Sequence, residues 1–439
     1  MDIHLDSEDS SPCFSQSSSG SGFDTPLTGR STLFEDAQED LDLSSQDFIL
    51  VVGGLGYIGS HTCLELLKAG HNVLIIDNLS NSYRRVYSRI QTLSKHYYEA
   101  RCEKMPHLRL YEADYRDQTA ISEILGEFVV SHISSAKTNA DQQISSRIQG
   151  VVHFAAYKSV SESIQQPLKY YANNLSGLIE FCSTLNNFNI KTFIFSSSAT
   201  IYGSLSNSGK PLMEEYCTHE TESFIDHDRG VKTVLGGCSG LTNPYGRTKW
   251  MCEAILSDLA LADPEWTIVA LRYFNPVGCD ESGLLGEDPR GIPTNLMPVV
   301  LRVLTGLSPI LDVFGTDWPT PDGTAVRDFI HVTDLALGHI AALAAAADNR
   351  LPKGFRTYNL GSGIGYSVLD VVGAVESVSS STIPLRKVGR RDGDVGSCVA
   401  MPKRAEIELN WKAERTLETS CKDICNYLEK MTIDETLDI

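Results

Sequence analysis

The sequence predicts an α/β fold built on a doubly wound, mostly parallel sheet. Three observations carry this. Short apolar runs at 48–52, 73–76, 108–112, 150–154, 191–195 and 267–272 are separated by stretches of helical character, as parallel βαβ units require. The first run, Phe48 to Val52, passes directly into Gly53, Gly56 and Gly59, and a helical pattern over 57–69 follows. The second run delivers Asp77 at its carboxyl end.

Taken in order, residues 1–46 are rich in Ser, Asp and Glu with few large apolar side chains, so they are expected to form a disordered acidic tail. The net charge of −19 is uneven: residues 1–47 hold eleven acidic side chains against Arg30 alone, about half of the excess. The remaining body is mildly acidic and has no basic patch, which excludes a nucleic-acid partner. No apolar run reaches the length of a membrane span, and the N-terminus has neither a signal core nor an Arg-rich transit pattern. The alanine-rich stretch from Asp334 to Ala347 suits a packed helix. Eleven cysteines are scattered singly. The nearest pair, Cys421 and Cys425, lacks histidine neighbours. Reduced thiols in a cytoplasmic protein, with no metal site, are expected.

Folding begins near Asp47. The strand, the tight turn at Gly53, Gly56, Tyr57, Ile58 and Gly59, and the helix start place backbone N–H groups where a pyrophosphate can sit. Asp77 then stands where a carboxylate takes a ribose hydroxyl. The competing reading is an ordinary βαβ unit with packing glycines. The context of strand, turn, helix, strand and acid favours a Rossmann-type dinucleotide site. Two polar interruptions, near 131–149 and 204–242, are expected to be surface insertions or parts of a lid.

The run 191–195 leads into Ser196-Ser-Ser-Ala-Thr-Ile-Tyr-Gly203. Ligands of doubly wound sheets bind outside the carboxyl ends of the strands, which aims these hydroxyls at the cofactor crevice. By itself this is an ordinary Ser-rich turn. In Asn243-Pro-Tyr-Gly-Arg-Thr-Lys249, Asn243 is a good N-cap and Pro244 suits the first helical position. Tyr245 and Lys249 then share one helix face. A phenol of ordinary pKa about 10 is a poor base at neutral pH; a neighbouring ammonium and an oxidised nicotinamide both favour the phenolate. The spacing alone is weak, but joined to a dinucleotide site and a strand-end serine cluster it is specific.

These features resemble an extended short-chain dehydrogenase/reductase, and longer strings narrow the resemblance to the UDP-glucose (UDP-galactose) 4-epimerases. The strings begin at Gly53, His153, Phe195, Arg272, Gly286, Asn295 and Val326: GGLGYIGSHT, HFAAYK, FSSSATIYG, RYFNPVG, GEDPRGIP, NLMP and VRDFIHV. The similarity covers residues 48 to about 415, apart from the two interruptions. It implies that Asp77 and Asn78 meet the adenosine ribose, that Asp114 lies near adenine, and that Phe154, Lys158 and Asn174 lie along NAD. Lys249 is expected to hold the nicotinamide ribose and Tyr273 to lie near the nicotinamide. Ser198, Thr200, Asn275, Asn295, Arg327, Arg391, Asp394 and Cys398 match positions that bind the UDP moiety or sugar. Arg is suited to a diphosphate by its charge and bidentate geometry; a surface or interdomain ion pair is the alternative use of each.

The resemblance implies reversible C4 epimerisation through a 4-keto sugar, with Tyr245 as base, Ser198 aligning the hydroxyl and NAD regenerated in each cycle. It also implies a homodimer. Cys398 stands where family members restricted to glucose and galactose nucleotides carry tyrosine, so activity on UDP-GlcNAc and UDP-GalNAc is expected as well. The architecture expected is an NAD-binding domain over 47–276 and a smaller nucleotide-sugar lobe over 277–439, interleaved with the first. The alternatives are another UDP-sugar enzyme of the superfamily (pentose epimerase, decarboxylase or dehydratase) and a non-catalytic sugar-nucleotide sensor. Ala199 and Thr200 after Ser198 lack the acid/base pair a 4,6-dehydratase needs, and the intact Tyr245, Lys249 and Ser198 favour turnover.

Overall fold

The computed structural model describes residues 46–130, 145–291, 293 and 295–437, which fall in one compact unit. The expected acidic tail and most of the first interruption lie outside the described residues. The chain runs β1 (Phe48–Val52), α1 (Tyr57–Lys68), β2 (Asn72–Asp77), α2 (Arg84–Glu99), β3 (Leu108–Glu112), α3 (Gln118–Gly126), β4 (Val129–Val130), β5 (Ser145–Ser146) and β6 (Ile148–His153). Next come α4 (Val160–Gln165), α5 (Pro167–Tyr171), a π-helical turn (Ala172–Ser176), α6 (Gly177–Asn187) and β7 (Thr192–Ser198).

Strands β1, β2, β3, β6, β7, β10 (Thr267–Tyr273) and β14 (Gly354–Leu360) form one parallel sheet in the order β14-β10-β7-β6-β1-β2-β3. The central strand β1 is buried at all five positions, as a strand covered on both faces must be. Helices α1, α2 and α9 (Val332–Ala347) pack one face around Val51, Leu67, Ile75 and Leu343. Helices α3, α6 and α7 (Pro244–Ala262) pack the other around Leu50, Phe181, Leu256 and Trp266. Strand order reverses between β1 and β6, which opens a crevice at their carboxyl ends.

The second interruption is not structureless. It contains the hairpin β8 (Glu222–Ile225) and β9 (Val231–Val234), with Ser223 opposite Thr233 and Phe224 opposite Lys232. Its outward positions are polar or mixed, so the alternation that marks a half-buried strand is missing from the sequence.

Beyond β10 the chain makes a smaller layer. It contains β11 (Asn275–Val277), α8 (Leu296–Leu304), β12 (Leu311–Phe314), β13 (Val326–His331), β15 (Gly365–Ser367), α10 (Val368–Ser379), β16 (Leu385–Val388), β17 (Ser397–Cys398) and α11 (Leu417–Leu437). Val300, Phe329, Val372 and Ile424 fill its core. Within this stretch β14 returns to the edge of the large sheet beside β10. Among the described residues no helix is long and apolar enough to cross a membrane.

Candidate active site

The crevice is a cavity of about 760 Å³ lined by the β1–α1 turn, Asp77, Asn78, Phe154, Lys158, Tyr245, Lys249, Tyr273 and Asn295. Gly53 has φ +76°, a conformation that side chains rarely adopt. A Cβ on Gly59 would stand 2.3 Å from the Gly53 carbonyl oxygen, so the helix meets the strand only through a glycine. No side chain caps the start of α1 and no acid lies in its first turn, which leaves its amides and positive dipole end directed to the crevice.

Asp77 ends β2 in the cavity wall. Its Oδ2 accepts Leu55 N–H at 2.9 Å, and its Oδ1 accepts Leu79 N–H at 2.9 Å and Ser82 Oγ at 2.8 Å. The carboxylate therefore braces the glycine turn and keeps one lone pair, on Oδ2, for a hydroxyl. Asn78 donates to Asp114 Oδ2 at 3.0 Å, and hydrogen bonds from Arg116 hold the Asp114 carboxyl down to about 2 despite partial burial. Lys158 pairs with Glu287 at 3.2 Å. These residues fit a dinucleotide: exposed helix amides for a diphosphate, a strand-end carboxylate for a ribose, and a cavity long enough to reach Tyr245.

One expected cofactor contact is placed differently. Asn173 lines the cavity, whereas the Asn174 side chain is consumed inside the protein. It accepts from Tyr157 N–H and Asn173 Nδ2, and donates to Tyr157 O at 3.0 Å and Thr248 Oγ1 at 3.1 Å. The π-helical turn over Ala172–Ser176 changes which amide faces the crevice, a shift that a 3.6-residue period does not reveal.

Tyr245, Lys249 and Ser198 are brought together at the start of α7 and the end of β7. Asn243 caps α7 by accepting Gly246 N–H at 2.8 Å, with Pro244 in the first turn. Lys249 is buried, donates to Ser196 O and to Ser196 Oγ at 3.2 Å, and stands 6.0 Å from the Tyr245 ring centre. Burial lowers its pKa to about 8, against the pull of Cys252 and Glu253. Burial pushes Tyr245 up to about 12, partly opposed by a hydrogen bond with Ser198. Desolvation thus outweighs the expected pull toward phenolate among the protein's own groups. Strand register sets Ser198 beside Tyr273 and Ser197 beside Arg272, and Thr200 donates through N–H and Oγ1 to Ser198 Oγ at 3.2 and 3.0 Å.

Beneath these residues lies a buried group that the sequence reading did not single out. Glu253 follows Lys249 by one helical turn. It receives Arg272 Nε at 3.1 Å and Nη2 at 2.7 Å, Ser197 Oγ, and His219 Nε2 at 3.0 Å. Glu253 and Arg272 have 0% side-chain exposure. His219 comes from the second interruption and stacks on Trp250 at 3.9 Å. The i+4 spacing from Lys249 was the available signal for Glu253.

The expected nucleotide-sugar positions divide. Asn295 lines the cavity. Arg327 and Cys398 are register partners on β13 and β17, and Arg391 pairs with Asp394 at 3.1 Å while lying 4.6 Å over the Phe314 ring. Burial lowers the Arg327 pKa, while Cys398 and Asp394 raise it. The loop between Arg391 and Cys398 meets the segment leading into α7 through Thr242 Oγ1, which donates to Gly393 O at 3.2 Å. Cys398 is buried near Ser206, and burial pushes its thiol up to about 11. Asn275 starts β11 opposite Phe329.

Comparison with known proteins follows the same outline. Residues 49–361 match the model of the NAD dependent epimerase/dehydratase family. The chain is 43% identical over 375 residues to a UDP-glucose 4-epimerase of Bacillus subtilis, covering 85% of this chain and 95% of that protein. It is 42% identical over 379 residues to the one from Mus musculus, covering 86% and 96%. The crystal structure of UDP-glucose 4-epimerase from Bifidobacterium longum, in complex with NAD+ and UDP, superposes with a TM-score of 0.72 at 40% identity, covering 87% of this chain and 98% of that one. With the crevice, the helix-borne Tyr and Lys and these relatives in agreement, the chain belongs to the NAD dependent epimerase/dehydratase family, among its UDP-glucose 4-epimerases.

Proposed function

We propose that this protein is an isomerase that interconverts UDP-glucose and UDP-galactose by inverting C4 of the sugar, with NAD as its cofactor. The observation that carries the reading is one crevice lined by an uncapped glycine-turn helix start together with Tyr245 and Lys249, Ser198 being bonded to the Tyr245 phenol. The names of the relatives support it. Bound NAD supplies reversible oxidation at C4. Tyr245 Oη would take the proton of the 4-hydroxyl, and Ser198 would hold that hydroxyl in line. Lys249 would favour the phenolate through its ammonium and fix a ribose. Arg327 and Arg391 would grip the diphosphate by charge-assisted bonds, so that the 4-keto sugar can turn its other face to Tyr245 and recover its proton there. The roles of Thr200, Asn275, Asn295 and Asp394 along the sugar nucleotide belong to the same proposal, as does the division into an NAD domain and a sugar lobe near 276.

The test is purified protein with UDP-galactose and no added NAD. Conversion to UDP-glucose is expected; failure to convert by protein that carries NAD would favour the sensor. The panel includes UDP-GlcNAc, which wild type is expected to turn over because Cys398 leaves room that a phenol ring would fill. Cys398→Tyr should lose that activity at least about tenfold and keep UDP-galactose turnover, a size discrimination within reach of one side chain. Equal loss on both sugars would refute the assignment of Cys398.

A homodimer and a cytoplasmic location complete the proposal. Leu168 on α5, Ile179 on α6 and Met251 and Leu261 on α7 are exposed large apolar side chains, which a second copy would cover. Light scattering should return twice the chain mass for wild type and a shift toward one chain for Leu168→Glu; a wild-type monomer would refute the dimer. The cysteines among the described residues are free thiols, in keeping with a reducing compartment.

A further inference from the structure

Tyr245 and Tyr273 are neighbouring phenols in the wall of the same crevice, yet only Tyr245 is assigned the proton transfer. Their surroundings differ on one side. His339, on α9, has 0% exposure and faces Tyr273 Oη with Nε2. Its Nδ1 lies 2.8 Å from the Leu335 carbonyl oxygen. A carbonyl only accepts, so Nδ1 carries the ring proton and Nε2 presents a lone pair. Tyr273 must then be the donor. The His339 ring also lies against Phe154, with centres 4.8 Å apart, and against the Tyr273 ring at 5.2 Å. One imidazole therefore backs two side chains of the cavity wall.

We infer that His339 is a positioning residue: as the neutral Nδ1–H tautomer it holds the Tyr273 proton and fixes that ring, which leaves Tyr245 as the phenol free to exchange a proton with substrate. The groups facing Tyr273 are Tyr245 from α7, Ser196 from β7 and His339 from α9, with Lys249 of α7 bonded to Ser196 behind them. His339 itself faces Tyr273, Phe154 and the Leu335 carbonyl, and among the described residues no charged group shifts its pKa. Burial lowers its pKa to about 4, so the tautomer is kept through the neutral range. Ser196 Oγ receives Lys249 Nζ at 3.2 Å and also lies within hydrogen-bond reach of Tyr273. A Tyr273 hydroxyl released from His339 would turn to Ser196 and compete with Tyr245 for the field of the Lys249 ammonium.

This inference rests on Tyr245 as the base, and the variants separate the two. The test uses the full chain with its NAD, comparing wild type, His339→Phe, which keeps ring bulk and lacks an acceptor, and His339→Gln, which retains one. His339→Phe is expected to lose about tenfold in kcat with KM nearly unchanged and its pH–rate profile displaced, as expected for disturbed acid–base alignment; His339→Gln should recover most of the loss. Adding His339→Phe to Tyr273→Phe should cost nothing further, because the histidine acts through that hydroxyl. Wild-type kcat and pH profile in His339→Phe, no advantage of Gln over Phe, or full additivity with Tyr273→Phe would each overturn the inference. Tyr245→Phe alone tests the base: if it stays active, that reading fails whatever His339 does.

Discussion

Tyr245→Phe is expected to reduce kcat for UDP-galactose by about a thousandfold, within the range that a positioned acid–base group supplies, while the fold and the bound NAD survive. Only the phenol oxygen is removed. The Tyr245 backbone N–H still donates to Ser163 Oγ at 3.1 Å, Asn243 still caps α7, and the ring still meets Tyr170 edge-on at 6.5 Å. Ser198 is no substitute base: among the described residues it has no imidazole or carboxylate partner, and its Oγ already receives two bonds from Thr200. Lys249 is no substitute either, because its buried nitrogen is turned to Ser196. The measurement is single-turnover conversion together with NAD content and thermal midpoint. A kcat within about tenfold of wild type, with NAD retained, would remove Tyr245 from the mechanism.

Glu253→Gln is expected to produce the largest loss of stability, about 3–5 kcal/mol, because it leaves the Arg272 guanidinium charged and buried without a counter-ion. Burial would raise the Glu253 pKa, but the Arg272 charge and the bonds from His219 and Arg272 outweigh it and hold the carboxylate well below its ordinary range. A depressed folded pKa means that the unfolded chain binds the proton first on acidification. The stabilisation is therefore complete above the unfolded value, about 4.3, and is lost as pH falls from there toward the folded value. The gap between wild type and Glu253→Gln in denaturant midpoint should be widest at neutral pH and should narrow in acid. A gap below about 1 kcal/mol at neutral pH would show that the pair is replaceable. Activity should fall as well, since Glu253 joins α7 to Ser197 and Arg272, the neighbours of Ser198 and Tyr273.

Much of the crevice is legible in the sequence because its parts are local. Gly59 is needed by a neighbour six residues away, the Asn243 cap acts over three, and Tyr245 and Lys249 are one turn apart. Each is a short-range backbone rule, so residue type and spacing suffice. The second interruption was harder to read: its hairpin pairs Ser223 with Thr233 and carries no apolar alternation. That Asn173 rather than Asn174 lines the cavity was not legible either, because a π-helical turn alters the phase of the helix.

By itself the sequence determined the doubly wound sheet, the dinucleotide turn and the helix face that carries Tyr245 and Lys249, all consequences of period and spacing along the chain. Only the tertiary structure decided which charges and hydroxyls are shared between elements. Glu253, Arg272 and His219 come from three separate segments, and Tyr273 and His339 lie 66 residues apart. It also decided that burial, rather than a neighbouring ammonium, dominates Tyr245. Desolvation and buried hydrogen bonding depend on what packs around a group in three dimensions, and spacing along the chain carries no record of that.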